Sequence, residues 1–200
     1  MNSLFEEIKL VEPSTFDELA LAVFNYQAKH NPTVAQYLQA LGHRGEASQI
    51  SELVFLPIEF FKSHVVKTGE WSEDGIFESS GTTGQQTSKH FIQDLSSYRN
   101  QTKATFESLY GPLEDYTILA LLPSYMERGN SGLIAMVDHF MECTQSDDSG
   151  YYLSDFTRLF DKLNELKKAK QKTILWGVTY ALLDFTEQFK MHFPVLVVME

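Results

Sequence analysis

Residues 16–41 alternate apolar and polar positions with the period of an α-helix. Over residues 16–24 the apolar side chains recur every three to four positions, which predicts an amphipathic helix capped by Ser14 or Thr15. An Asn-Pro pair beginning at Asn31 predicts the start of a second helix, and Gly42 predicts its end. The N-terminal segment is therefore expected to be helical.

The pattern changes after residue 50. Residues 51–66 are rich in large apolar side chains but include a proline, which favours packed irregular structure with a short helix. Residues 75–78 are typical of a strand, and residues 88–93 of its pairing partner. A polar run over residues 79–84 would then lie in the loop between the two strands.

The rest of the chain alternates helices with apolar runs that are too short for most helices. The predicted elements are a helix over 96–109 capped by Ser96 or Ser97, a strand over 116–125, a helix over 131–143, a helix over 156–166 capped by Ser154, a strand over 173–178, a helix over 179–193 and a strand over 194–199. Strands separated by helices predict an α/β fold with a mainly parallel sheet. We expect a helical segment over residues 1–50 and an α/β core over residues 51–200.

Composition narrows the possible classes of protein. The 200 residues are 43% hydrophobic and 13% aromatic, enough for a packed core. A net charge of −11 argues against binding to nucleic acid. The single cysteine, Cys143, excludes an internal disulfide. No apolar run reaches the ~18 residues of a membrane span, so we expect a cytoplasmic protein without one.

The stretch FESSGTTGQQTSKH, residues 77–90, carries the clearest chemical signal. Its glycines allow backbone amides to approach a ligand, and its hydroxyls add hydrogen-bond donors, as in a polyphosphate-binding loop. It lacks the G-x-x-x-x-G-K-[ST] order of a Walker A loop. The alternative is a mobile polar hairpin loop. The candidate phosphate-binding residues are Ser79, Ser80, Gly81, Thr82, Thr83, Gly84 and Lys89.

The run SSGTTG resembles the phosphate-binding signature of the adenylate-forming superfamily. Together with LPIEFFKS (56–63) and LPSYMERGNSGLIAMVDHF (122–140), it resembles one branch in particular, the acyl-protein synthetases or luciferin-component ligases of bacterial fatty-acid reductase complexes. The resemblance extends from about residue 50 to the end of the chain, and it implies the N-terminal domain of such an enzyme.

This resemblance implies an ATP-dependent ligase. Such enzymes join a carboxylic acid to ATP with Mg²⁺, release pyrophosphate and transfer the acyl group from acyl-AMP to a thiol. Residues 79–84 would hold the β- and γ-phosphates of ATP. The superfamily usually continues as TTG-x-P-K, whereas Gln86 and Thr87 stand at the last two places here. The role of Lys89 therefore stays open.

A second group of candidates follows the predicted strand over 116–125 and the strand over 173–178. They are expected to line an acyl or adenylate pocket: Tyr125, Arg128, Gly129, Asn130, Ser131 and Gly177. The alternatives are a helix cap with a surface ion pair for the first five and a strand-to-helix turn for Gly177. No catalytic residue and no metal ligand is assigned.

Two further residues are interpreted as structural. His139 lies on a mostly apolar helix, where a packed side chain is the expected state. Cys143 ends the apolar face of the same helix, which predicts a buried, inert thiol. The resemblance also places the acyl-accepting cysteine of the family in a C-terminal region that follows these 200 residues.

The chain ends at Glu200, directly after a strand of the buried type. In open α/β sheets ligands bind beyond the carboxyl ends of the strands. We therefore expect an N-terminal part of a longer ligase that lacks the C-terminal lid domain and is inactive alone. Two alternatives are an aryl- or acyl-CoA ligase of the phenylacetate type, and a non-catalytic subunit that docks on an acyl-CoA-reductase-like partner.

Overall fold

A computed structural model describes residues 2–79, 86–122 and 130–200. The chain forms two compact units, Met1–Leu95 and Ser96–Glu200. The elements up to residue 92 are α1 (Asn2–Lys9), α2 (Phe16–His30), α3 (Pro32–Ala40), a 3₁₀ turn (Ile50–Glu52), α4 (Phe60–Ser63), β1 (Gly75–Glu78) and β2 (Lys89–Ile92). The elements that follow are α5 (Leu95–Tyr110), a 3₁₀ turn (Leu113–Asp115), β3 (Thr117–Leu121), α6 (Gly132–Thr144), β4 (Gly150–Tyr151), α7 (Phe156–Ala169), β5 (Thr173–Gly177), α8 (Thr179–Gln188) and β6 (Leu196–Met199).

The N-terminal unit packs α2 against α3 around a small apolar cluster. Its buried members are Phe24, Ala28, Val34, Leu38 and Ala47. The buried side chain of Asn31 begins α3, as predicted, by accepting hydrogen bonds from the backbone N–H groups of Thr33 and Val34. β1 and β2 pair antiparallel, as predicted.

The C-terminal unit is built on a four-stranded, entirely parallel sheet in the order β4-β3-β5-β6. Every residue of β3 and β5 is buried. The predicted α/β class is confirmed. A continuously buried strand has no polar face, which explains why these two strands appear as short apolar runs in the sequence.

Successive residues of the strands face opposite layers of helices. Ile118, Ala120 and Ile174 pack with the apolar side chains of α5 and α6. Leu119 and Leu121 pack with those of α7 and α8. The period of two along each strand therefore produces two separate cores, one on each face of the sheet.

Several element boundaries differ from the predictions. The α5 helix begins at Leu95, one residue before Ser96, so neither Ser96 nor Ser97 caps it. Asp155, and not Ser154, caps α7, because its carboxylate accepts a hydrogen bond from the backbone N–H of Arg158.

The two remaining boundary differences concern α2 and α8. The Thr15 hydroxyl precedes α2 but bonds the backbone of Glu12, so it makes no capping hydrogen bond. The α8 helix ends at Gln188, not at residue 193, and Phe189 continues with extended backbone. The ring of Phe189 then stacks on Phe160, which keeps it in the core. The α1 helix and the two-residue β4 were not predicted.

Among the described residues, none of the helices combines the length and the apolar composition needed to cross a bilayer.

Candidate functional site

The predicted phosphate run is carried by the β1–β2 hairpin. The register pairs Phe77 with His90 and Glu78 with Lys89. Next to the last of these pairs, the Ser79 N–H donates to the carbonyl of Ser88, and the Ser88 N–H donates to Ser79 Oγ at 3.0 Å. Of the run, only Ser79 belongs to the described part; Ser80, Gly81, Thr82, Thr83 and Gly84 lie outside the described residues. The hydrogen bonds of Ser79 and Ser88 thus fix the base of the loop.

The candidate Lys89 stands at the base of this loop beside a carboxylate. Its Nζ lies 3.8 Å from Oε1 of Glu78, while the other oxygen of Glu78 accepts a hydrogen bond from Thr87 at 3.2 Å. The Lys89 side chain is 54% exposed. A long, exposed ion pair contributes little to stability, so this ammonium group can exchange its partner at small cost.

The segment over residues 56–63 contacts the hairpin. The ring of Phe61, in α4, stacks on the ring of His90, in β2, with centroids 4.6 Å apart. Ser88 Oγ lies 3.4 Å from Nε2 of the same histidine. The segment 56–63 therefore supports the strand that leads out of the loop.

The second candidate region lies at the carboxyl ends of β3 and β5. The chain leaving β3 passes through α6 to β4 on one side of β3, whereas the chain leaving β5 passes through α8 to β6 on the other side. Because the two connections diverge, this topology predicts a crevice between the ends of these neighbouring strands, the position at which open α/β sheets bind ligands. Leu121 and Gly177, the last residues of β3 and β5, are paired at this point.

Ser131 and Asn130 end the loop that leaves β3. The buried Ser131 hydroxyl oxygen caps α6 by accepting a hydrogen bond from the N–H of Ile134 at 3.3 Å. Asn130 is exposed. The other candidates of this loop, Tyr125, Arg128 and Gly129, lie outside the described residues. The helix-cap interpretation thus accounts for Ser131, and a pocket role for these residues stays a prediction.

Gly177 is a glycine because α8 packs closely against it. A Cβ atom at this position would lie 2.8 Å from Cγ and Cδ2 of Leu182 and 3.4 Å from Cβ of Leu121. Its backbone φ does not lie in the left-handed region, so conformational freedom is not the reason for a glycine here. Tight packing between strand and helix therefore explains this residue, and its role in a ligand pocket stays a prediction.

One polar pair at the same edge was not singled out from the sequence. The Thr179 hydroxyl, at the start of α8, donates a hydrogen bond to the carboxylate of Glu200, which follows β6. Glu200 comes directly after β6 and Thr179 follows the end of β5 by two residues, and these positions are the signal that could have identified them.

Cys143 lies near the opposite end of α6 from Ser131. A helix of this length spans about 20 Å, so the thiol is remote from the crevice. Cys143 is half-buried rather than buried, and its Sγ lies 3.7 Å from Nε2 of His139. Burial raises the pKa of the thiol, which disfavours the nucleophilic thiolate. The His139 side chain is only 16% exposed, as expected of a packed residue.

In the described part of the chain, no group of three or more His, Cys, Asp or Glu side chains could hold a metal ion.

No protein-family model matches the chain, and neither the curated proteins nor the solved structures include a match.

Proposed function

We propose that the protein activates a carboxylic acid, of the fatty type, with ATP to an acyl-adenylate and transfers the acyl group to a protein thiol, as an acyl-protein synthetase of the adenylate-forming superfamily does. The observation that carries the proposal is the placement of the Ser/Thr/Gly run of residues 79–84 in a hairpin loop whose base is held by Ser79 and Ser88. The proposed location is the cytoplasm.

The described residues at the base of the loop fit a polyphosphate. Lys89 is exposed and only loosely paired with Glu78, so it can turn towards an anion. A hydrogen bond from a hydroxyl or amide donor to a charged phosphate oxygen is stronger than one to a neutral oxygen, because it is charge-assisted. Residues 79–84 and Lys89 would therefore hold the β- and γ-phosphates.

Mg²⁺ would arrive with the nucleotide. This ion usually binds through substrate phosphates and one or two carboxylates and keeps several waters, so it does not require a cluster of protein ligands. When bound, it would neutralise charge on the phosphates as pyrophosphate leaves. The carboxylate of Glu78, at the base of the loop, is of the ligand type that the ion prefers.

The crevice at the ends of β3 and β5 supports an acyl or adenylate pocket. It lies where α/β sheets bind ligands, and Tyr125, Arg128, Gly129 and Asn130 stand in the sequence between β3 and α6. The pairing of Leu121 with Gly177 brings the ends of the two strands side by side. Apolar helices on both faces of the sheet are suited to enclosing an aliphatic or aromatic acid.

The experiment is calorimetric titration of the 200-residue chain with ATP and Mg²⁺. We expect saturable binding, weakened at least tenfold in the double variant Thr82→Ala/Thr83→Ala. The matched control is Thr157→Ala/Thr186→Ala, which removes two exposed hydroxyls from α7 and α8. No binding by the unaltered chain, or equal weakening in both double variants, would contradict the proposal.

A second assay separates the two catalytic alternatives. The chain is incubated with ATP, Mg²⁺ and a panel of fatty and aryl acids, with hydroxylamine or CoA as the acceptor. Hydroxamate from fatty acids supports the acyl-protein synthetase, and acyl-CoA from aryl acids supports a ligase of the phenylacetate type. ATP binding without either product supports a non-catalytic subunit that docks on an acyl-CoA-reductase-like partner, or a chain that needs a C-terminal domain for catalysis.

A further inference from the structure

A cleft of about 1170 Å³ lies within the N-terminal unit, apart from the residues proposed to bind ATP. It is lined by one face of α2, by the loop over residues 42–48 and by the following segment up to Val54. Its wall combines apolar side chains with His43 and two pairs of opposite charge, Lys29 and Arg44 against Glu46 and Glu52. None of the elements at this cleft has a role in the proposed adenylation.

The loop over residues 42–48 is held in one conformation by side-chain hydrogen bonds. Asn25, on α2, clamps it from both sides: Nδ2 donates to the carbonyl of Ala47 at 3.0 Å, and Oδ1 accepts from the N–H of Ala47 at 2.8 Å. Ala47 itself is buried in the apolar cluster. The clamp therefore ties the wall of the cleft to the core of this unit.

His43 provides a second clamp. Its Nδ1 accepts a hydrogen bond from the N–H of Gly45 at 3.0 Å, so the ring proton lies on Nε2, which donates to the carbonyl of Glu52 at 3.2 Å. The edge of the ring packs against Phe24. Gly45 has a φ of 80°, a conformation that favours glycine. The backbone between the two clamps is thus preformed.

Two backbone N–H groups and two basic side chains of this cleft have no acceptor among the described residues. The backbone N–H groups of Arg44 and Glu46 make no hydrogen bond there, and neither Arg44 nor Lys29 makes an ion pair. By contrast, Oε2 of Glu52 accepts three hydrogen bonds, from the N–H and hydroxyl of Ser48 and the N–H of Gln49. The carboxylate of Glu52 is therefore held by the loop itself, while the side chains of Lys29, Arg44 and Glu46 make no ion pair among the described residues.

We propose that this cleft binds a small molecule through an oxyanion group, a phosphate or a carboxylate. The planar guanidinium of Arg44 matches either group with two hydrogen bonds. The ammonium of Lys29 adds charge, and the free N–H groups beside Gly45 add donors. Preorganisation favours binding because the loop loses little conformational freedom when the ligand arrives.

The test is a ¹H–¹⁵N NMR titration of the 200-residue chain with sodium phosphate and, separately, with sodium citrate, at constant ionic strength. We expect saturable shifts of the amides of residues 44–47. Saturation by phosphate alone identifies a phosphate-bearing ligand, and saturation by citrate alone identifies a carboxylate. The double variant Lys29→Gln/Arg44→Gln should weaken binding at least tenfold.

The control variant is Lys168→Gln/Lys190→Gln, which removes the same charge from two exposed lysines of the other unit. It should leave the titration unchanged. Shifts that do not saturate with either probe, or equal weakening in the two double variants, would overturn the proposal. This test is separate from the test of ATP binding, because neither double variant changes a residue that is proposed to bind ATP.

Discussion

In residues 96–200 both central strands are completely buried, whereas none of the described strand residues in 1–95 is buried. The described residues of the N-terminal unit form one small apolar cluster and leave Phe55 79% and Ile58 70% exposed. The C-terminal unit has an apolar core on each face of its sheet. We therefore expect hydrogen bonds from polar side chains, such as Asn25 and Asn31, to contribute a larger share of the stability in the first unit. Apolar packing should contribute the larger share in the second.

This difference matters for the two candidate regions. The phosphate run is carried by a hairpin of intermediate burial, while the crevice at β3 and β5 is built on buried strands. Changes in the hairpin loop are expected to affect binding with little effect on folding. Changes at the end of β5 are expected to affect folding first.

The largest expected effect compares one phenylalanine from each unit. Phe140 is 1% exposed and packs against Phe106 and Trp176, so Phe140→Ala should lower the free energy of unfolding by about 3–5 kcal/mol. Phe55→Ala should change it by less than about 0.5 kcal/mol, as for an exposed site. Urea unfolding measures both, and losses of similar size would refute the contrast between the units.

A second test asks whether packing alone explains Gly177. Gly177→Ala should lower the free energy of unfolding by about 1–3 kcal/mol, because the added methyl group meets Leu182. A Cβ atom added at Gly150 would have no atom within 4 Å apart from its chain neighbours, so Gly150→Ala serves as the control. Adding Leu182→Ala to Gly177→Ala should make the combined loss smaller than the sum of the two. Strict additivity would show that the close contact is not the cause.

A third test concerns the polar framework of the N-terminal unit. Asn31→Ala removes the acceptor that caps α3, and it should cost about 1–2 kcal/mol of unfolding free energy. Asn31→Ser keeps a neutral acceptor oxygen in this buried position and should recover part of that loss, while the hydrogen bond from Asn31 Nδ2 to Thr68 is lost in both variants. If the two variants are equally unstable in thermal unfolding, the cap is not what Asn31 contributes.

The smallest expected effect is a pH-dependent ion pair on α5. The hydrogen bond from Lys103, and then that from the backbone N–H of Leu113, lower the pKa of Glu107. A lowered pKa stabilises the folded state above the unfolded-state value, about 4.3 for glutamate. This contribution is lost as the pH falls through the folded-state pKa.

Since both partners are partly exposed, Glu107→Gln should cost below about 1 kcal/mol at pH 7. The free energies of unfolding of the variant and of the unaltered protein, measured in urea, should converge as the pH falls through the lowered folded-state pKa of Glu107, because below it the carboxylate is protonated in both states. A difference that persists unchanged at low pH would assign the effect to packing.

Local patterns along the chain were sufficient for most of the elements. The apolar period of α2, the Asn-Pro start and Gly42 end of α3, and the short apolar runs of β3 and β5 all correspond to observed elements. These signals depend only on residues near in sequence, which is why they can be recognised there. The cap of α7 was misplaced by one residue, because Ser154 and Asp155 are both good caps and only the geometry selects between them.

Properties that depend on residues distant in sequence required the folded structure. The order β4-β3-β5-β6, and with it the crevice between β3 and β5, follows from how the two layers of helices cover the sheet. The contact between Gly177 and Leu182 and the pair of Thr179 with Glu200 depend on the same arrangement. The clamp of Asn25 on Ala47, 22 residues away in the chain, cannot be recognised in any local pattern. Residue types and their spacing indicate which chemistry is available, but the side chains that meet are selected by packing over the whole unit, where many weak contacts are satisfied together.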